Sequence, residues 1–297
     1  MKMQDLAEAL ILSLLPRDGE RQTLLDGVTL FRTSEPIDRL PRTFPAAVCI
    51  LLQGVKRAYF DGGVHIYDAS RYLCSSVPLP VEGEVIEASR ERPLLGMMVS
   101  FETPTMAEVC AAYEAAYPST SSTDAGTQNF MSVAWDPAFR SAVEGLLEAL
   151  AEPSLLQLVG PGRLREVLIA ILRGPAGPMI LTRSRQHRPL VGVIDYIRKH
   201  LDTPLRVESI ARQAGMSKAV FHRYFKQATS QTPIQFIKAL RLNEGARLLS
   251  QGASVGEAAT RVGYLSPSQF SRDFQRQFRR SPSQWRSAAN VAELRSP

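Results

Sequence analysis

Val207-Glu208-Ser209-Ile210-Ala211-Arg212-Gln213-Ala214-Gly215-Met216 and Val255-Gly256-Glu257-Ala258-Ala259-Thr260-Arg261-Val262-Gly263-Tyr264 read as two copies of one pattern. Ala211 matches Ala259 and Gly215 matches Gly263 at a shift of 48 residues. The second copy then gains one residue, Leu265. Beyond it Ser217 matches Ser266, Phe221 matches Phe270, Arg223 matches Arg272, Phe225 matches Phe274 and Pro233 matches Pro282, all at a shift of 49. Each copy reads as a helix-turn-helix. The small Ala211 or Ala259 lets one helix pack closely on the next, and Gly215 or Gly263 supplies a left-handed turn without Cβ strain. Ser217 or Ser266 then caps the following helix.

The spacing predicts which side of that second helix faces out. Phe221 and Phe225, like Phe270 and Phe274, lie one turn apart and point inward. The outward set is Lys218, Ala219, His222, Arg223 and Lys226 in the first copy. In the second it is Pro267, Ser268, Gln269, Ser271 and Arg272. Such a helix, presented N-terminus first, fits the DNA major groove, where arginine pairs with guanine and glutamine with adenine. Between the copies, Pro233 opens a long helix carrying Ile234, Ile237, Leu240, Leu242, Ala246 and Leu249 as apolar contacts to about Gln251. A bridge of this kind holds two readers at a fixed separation, so that one polypeptide reads two half-sites.

Charge divides the 297-residue chain. Residues 1–182 carry 15 basic and 22 acidic side chains, a net of −7, whereas residues 183–297 carry 20 and 7, a net of +13. The basic part asks for a polyanion partner. Gly174-Pro175-Ala176-Gly177-Pro178 breaks helical continuity and places a linker at 174–187, between units of 1–173 and 188–297. A 44% hydrophobic composition supports substantial cores. The longest apolar run, Ala46–Leu52, is too short to span a bilayer, and the N-terminus has no secretory-signal pattern. Three widely spaced cysteines, Cys49, Cys74 and Cys110, exclude a disulfide scaffold and a zinc ribbon, and point to a reducing cytoplasm.

In the first unit, Ala46–Gln53, Lys56–Phe60, Gly63–Tyr67, Tyr72–Ser76, Val81–Ala88 and Leu94–Phe101 read as short strands, with Asp61-Gly62 as a hairpin turn. That spacing predicts a small barrel or sandwich. Helical spacing follows at Met106, Val109, Cys110 and Tyr113. It recurs at Phe139, Val143, Leu146, Leu147 and Leu150, and at Leu164, Val167, Leu168, Ile171 and Leu172, with Ser119–Gln128 a polar loop. The fold class is α+β, with an all-helical second unit. His65 is the one histidine of residues 1–182, too few for a metal-binding barrel, and no Ser-His-Asp set, P-loop or GxGxxG is present. No enzyme activity, metal or cofactor is expected. The competing readings are a barrel enzyme fused to a DNA-binding module and an architectural protein without base preference.

From Leu190 to Arg286 the chain resembles the AraC/XylS family of bacterial transcription regulators. The resemblance rests on Ile210-Ala211…Gly215-Met216-Ser217, Phe225-Lys226, Thr232-Pro233-Ile234-Gln235-Phe236-Ile237-Lys238…Leu240-Arg241-Leu242, and Val262-Gly263-Tyr264-Leu265-Ser266-Pro267-Ser268-Gln269-Phe270-Ser271-Arg272…Phe274. It implies promoter DNA as partner, activation through contact with RNA polymerase, and base reading by Ala219, His222 and Arg223 in the first unit and by Pro267, Ser268, Gln269, Ser271 and Arg272 in the second. Ser230 and Arg279 depart from the family by standing where it often has glycine, and each is expected to turn left-handed at some cost. Cys49…Gln53-Gly54-Val55-Lys56, Asp68…Tyr72-Leu73, Pro78-Leu79-Pro80-Val81 and Glu87-Ala88-Ser89…Pro93 resemble the N-terminal domain of one AraC subgroup. That resemblance implies a cupin-like β-barrel with trailing helices, sensing a small-molecule effector and forming a homodimer through residues 137–173. Because subgroup relatives are expected to answer to electrophiles, and Lys56 and Arg57 are near in sequence, Cys49 is the effector-sensing candidate; the alternative is a buried structural thiol.

Overall fold

The computed structural model describes residues 3–61, 63–118, 129–186, 188–229 and 231–293. Gly62 of the predicted hairpin, the predicted loop 119–128 and Ser230 lie outside the described residues. The chain divides into two compact units, Met1–Leu40 with Phe44–Arg188, and Pro41–Thr43 with Pro189–Pro297.

The first unit holds two sheets. Strands β1 (Gly19–Gln22), β2 (Val28–Thr33), β4 (Ala47–Gln53), β7 (Arg71–Ser75), β9 (Leu94–Ser100) and β10 (Phe130–Ala134) form one, in the order β1-β2-β9-β4-β7-β10. Strands β3 (Ile37–Phe44), β5 (Val55–Phe60), β6 (Gly63–Tyr67) and β8 (Leu79–Glu87) form the other, in the order β3-β8-β5-β6. Neighbouring strands from β1 to β10 in the first sheet, and β8, β5 and β6 in the second, pair antiparallel. Beside β7, β10 approaches β6, where the Ser132 hydroxyl donates to the Ile66 carbonyl at 3.1 Å.

β4 shows how the sequence builds this unit. Its residues Ala47 to Leu52 are all buried, so the strand is covered on both faces. The period of two sorts them: Val48, Ile50 and Leu52 join the core beneath the helices, and the intervening residues turn towards the second sheet. Burying each of these aliphatic side chains contributes roughly 1.5–3 kcal/mol. The helical cover is α1 (Met3–Leu14), α2 (Pro104–Ala116), α3 (Pro137–Ala151), α4 (Pro153–Arg173) and α5 (Gly177–Gln186). Asp136 caps α3, accepting from the Phe139 amide at 2.7 Å, and α3 packs along α4.

Helix α5 replaces the linker expected at 174–187. Gly174, extended, ends α4, and Pro178 falls in the first turn of α5, where its missing N–H costs nothing. Ala176, Met179, Ile180 and Leu181 are buried in the core of the first unit. The glycines and prolines therefore punctuate two packed helices.

The second unit is helical: α6 (Arg188–Lys199), α7 (Val207–Gln213), α8 (Lys218–Thr229), α9 (Pro233–Ser250), α10 (Val255–Arg261), α11 (Pro267–Phe278) and α12 (Pro282–Glu293). α9 packs against α8, α10, α11 and α12. Its start is fixed by Thr232 and Gln235, which satisfy each other's backbone amides, with Pro233 in the first turn. Of the apolar contacts expected along α9, Ile237, Leu240, Leu242, Ala246 and Leu249 are buried. Ile234 is not: it is 62% exposed, on the outer side of the first turn.

Candidate nucleic-acid interface

Both helix-turn-helix units close with the same bonds. Met216 N–H donates to the Ala211 carbonyl and Tyr264 N–H to the Ala259 carbonyl, each at 2.9 Å. Gly215 N–H donates to Arg212 and Gly263 N–H to Thr260, each at 3.0 Å. Gly215 and Gly263 have φ of 69° and 77°. The serines then cap: Ser217 Oγ accepts from the Val220 amide, and Ser266 Oγ from the Gln269 amide, each at 3.4 Å. Beneath them Phe221 and Phe225 lie 5.3 Å apart at 54°, and Phe270 and Phe274 lie 5.4 Å apart at 53°. The repeat in sequence is a repeat in geometry.

On α8, Ser217, Lys218, Ala219, Arg223 and Lys226 are exposed and His222 is half-buried. On α11, Pro267, Ser268, Gln269 and Arg272 are exposed, with Ser266 and Ser271 half-buried. The structure thus gathers each predicted set on the outer side of one helix. Among the described residues, Arg223, Lys226 and Arg272 take part in no ion pair, so their charge is offered to solvent. Lys218 differs: its ammonium binds Glu208 of α7. That hydrogen bond holds the Glu208 carboxyl below the usual carboxylate range.

Arg279 ends α11 with φ 58° and ψ 13°, and its N–H donates to Gln275 at 2.9 Å. An arginine thus takes the left-handed position.

Three positioning features escaped the sequence reading. Asp273 lies on α11 but faces inward and is 9% exposed. Its Oδ1 is 2.7 Å from Lys238 Nζ of α9 and 2.7 Å from Arg276, and Tyr264 OH donates to its Oδ2 at 3.4 Å. Burial, then the Asp273 charge, pushes the Tyr264 phenol upward. One carboxylate therefore ties α11 to the bridging helix and to the turn before it. Its signal was visible: Asp273 stands three residues after Phe270, on the buried stripe of a basic helix. Gly245 of α9 is the second feature, since a Cβ there would lie 2.7 Å from the Phe270 ring. The third is Arg241, whose Nη2 donates to the Thr203 carbonyl at 2.7 Å beneath Gly263. Burial lowers the Arg241 pKa.

The first unit corrects the idea of an activated thiol. Cys49 lies in the middle of β4 and is fully buried. Burial raises its pKa, and the opposing pull of Lys56 is the smaller effect. A thiol that is neutral and out of reach of solvent is not a poised nucleophile. Cys74 and Cys110 are buried as well. His65, half-buried in β6, packs edge-on against Phe130 at 5.0 Å, and burial lowers its pKa. Among the described residues no group of three or more His, Cys, Asp or Glu side chains is placed to hold a metal ion. None of the described helices is long and apolar enough to cross a membrane.

Residues 24–179 match the family model for the AraC-type transcriptional regulator N-terminus, and residues 210–288 match a helix-turn-helix domain model. Regulatory protein SoxS of Salmonella typhimurium is 36% identical over 95 residues, covering 32% of this chain and 89% of SoxS. The MmsAB operon regulatory protein of Pseudomonas aeruginosa is 31% identical over 137 residues, 46% of this chain and 43% of that protein. Among solved structures, fatty acid-bound ToxT from Vibrio cholerae matches with a TM-score of 0.54 at 9% identity, over 91% of this chain and 97% of ToxT. At that identity the likeness concerns the fold.

Proposed function

The chain belongs to the AraC-type transcriptional regulators and is a DNA-binding transcription regulator, and from that premise we propose that it reads two half-sites of one promoter with α8 and α11. The observation that carries this reading is the duplicated turn geometry, presented on both sides of one bridging helix. α9 has 18 residues and is therefore about 27 Å long. That is the scale of one turn of duplex, about 34 Å.

In this reading Arg223 and Arg272 pair with guanines, Gln269 with an adenine, and Ala219, Pro267, Ser268 and Ser271 shape the base-facing surface. His222 adds a donor, Lys226 a phosphate contact, and Ser217 and Ser266 hold the helix starts near the backbone, with the Lys218 ammonium beside them held in reserve by Glu208. The first unit receives a small-molecule signal, and a homodimer forms through residues 137–173. RNA polymerase is the protein partner on the promoter, in the cytoplasm. The matched relatives are transcriptional regulators, which favours this reading over an enzyme.

The test is fluorescence anisotropy of the full chain on promoter duplexes with every base pair of each half-site varied. Arg223→Ala and Arg272→Ala should each remove about 1–3 kcal/mol of discrimination, at different half-sites. Unchanged base preference in both variants would refute the assignment. Equal affinity of the native chain for promoter and random duplexes would favour an architectural role instead.

A further inference from the structure

Leu265 is the one residue by which the second helix-turn-helix exceeds the first, and it is 99% exposed. Its neighbours fix its direction. Tyr264 turns inward, its ring 5.3 Å from Phe270 and its hydroxyl on Asp273. Ser266 caps α11 from an extended backbone, φ −135° and ψ 122°. Leu265 stands in the bend between the anchored Tyr264 and the cap Ser266, and its exposure shows that it points outward. Pro267, the first residue of α11, is exposed as well. The first copy has no counterpart, because its helix begins with Ser217 and the ion-paired Lys218.

A single exposed leucine is ordinary. What distinguishes this one is its place just before the end of α11 that enters the groove. In the major groove the one apolar feature of a base edge is the 5-methyl of thymine. Resting on the DNA-reading function above, we propose that Leu265 contacts a thymine methyl at the second half-site. The two readers then see chemically different sequences, the second carrying a methyl requirement that the first lacks.

Duplexes are first selected from a randomised pool by the full chain. Each thymine of the selected duplex is then replaced in turn by deoxyuridine, which keeps the pairing and removes only the methyl. The native chain should lose roughly fourfold in affinity at one thymine, the worth of one buried methyl. Leu265→Ala should bind the thymine and uracil forms of that position equally, at an unchanged melting temperature, because the side chain supports no packing. Retention of the full uracil penalty by Leu265→Ala would overturn the proposal, as would a native chain indifferent to every uracil. A chain that selects no duplex at all would overturn the DNA-reading function beneath it, so the two failures are distinct.

Discussion

Gly215 and Gly263 occupy equivalent turns, with φ of 69° and 77°, yet their surroundings differ. A Cβ at Gly215 meets open space, whereas one at Gly263 would run into the Leu201 carbonyl oxygen and the Arg241 guanidinium. Gly215→Ala carries the left-handed penalty alone, about 1–2 kcal/mol. Gly263→Ala adds backbone overlap and should cost about 2–4 kcal/mol in all. Chemical denaturation followed by far-ultraviolet circular dichroism checks the order, and equal losses would show that Leu201 yields freely. Both glycines were legible from the repeat, since a small residue four positions earlier and a cap soon after demand a turn. The approach of Leu201 was not, because it is set by packing between segments some sixty residues apart.

Two contacts between elements set how each reader is presented. In the first unit of the repeat, Glu208 of α7 holds Lys218, the first residue of α8. Glu208→Gln should release the ammonium to DNA phosphate, raising affinity uniformly across sequences and steepening the salt slope by about one. The sign of the pH response follows from the depressed Glu208 pKa. The pair is intact above the ordinary carboxylate range and is lost as pH falls through the lower folded value, so acid should mimic Glu208→Gln. Anisotropy against salt at two pH values reads both. In the second unit the tie is Asp273 with Lys238, which joins α11 to α9. Hydrogen bonds to charged groups are each worth about 1.5–3 kcal/mol, so Asp273→Asn should destabilise by that order. It should also weaken binding by loosening α11. Asp273→Asn and Lys238→Met together should cost less than their separate effects added, since each already breaks the same contact. Strict additivity would remove Asp273 from its positioning role. The aromatic pairs of α8 and α11 were readable from spacing, as was the place of Asp273 on the buried stripe, but its partner Lys238 was not, because it stands on another helix.

Over the whole chain, legibility followed how much of each segment's order is local. The charge reversal near residue 182 and the strands from 46 to 101 could be read from composition and alternation. Residues before 46 could not: all of β1 is exposed, and β3 mixes Asp38, Arg39, Pro41 and Arg42 into a strand held by its neighbours. β10 was equally silent, since its place beside β7 is a long-range pairing. At 174–187 the Gly-Pro signals mark helix ends without saying whether the next helix packs, and the burial of α5 is set by the core it joins.

The largest claim, two readers rigidly spaced in one polypeptide, has its own test in the DNA. α9 is a continuous helix capped at its start, so the separation and rotation of α8 and α11 are fixed within narrow limits. Inserting half a turn of duplex, about 5 bp, between the half-sites puts the second on the opposite face. Inserting a full turn, about 10 bp, restores the face but adds about 34 Å. Two readers on separate chains, or on a flexible tether, recover binding in the second case. A rigid double reader recovers in neither, because α9 cannot lengthen. The full chain should therefore lose at least about 30-fold on both duplexes, the worth of one reader's base contacts at about 2 kcal/mol. Recovery at the full-turn insertion would assign the two half-sites to two protomers, each using one reader.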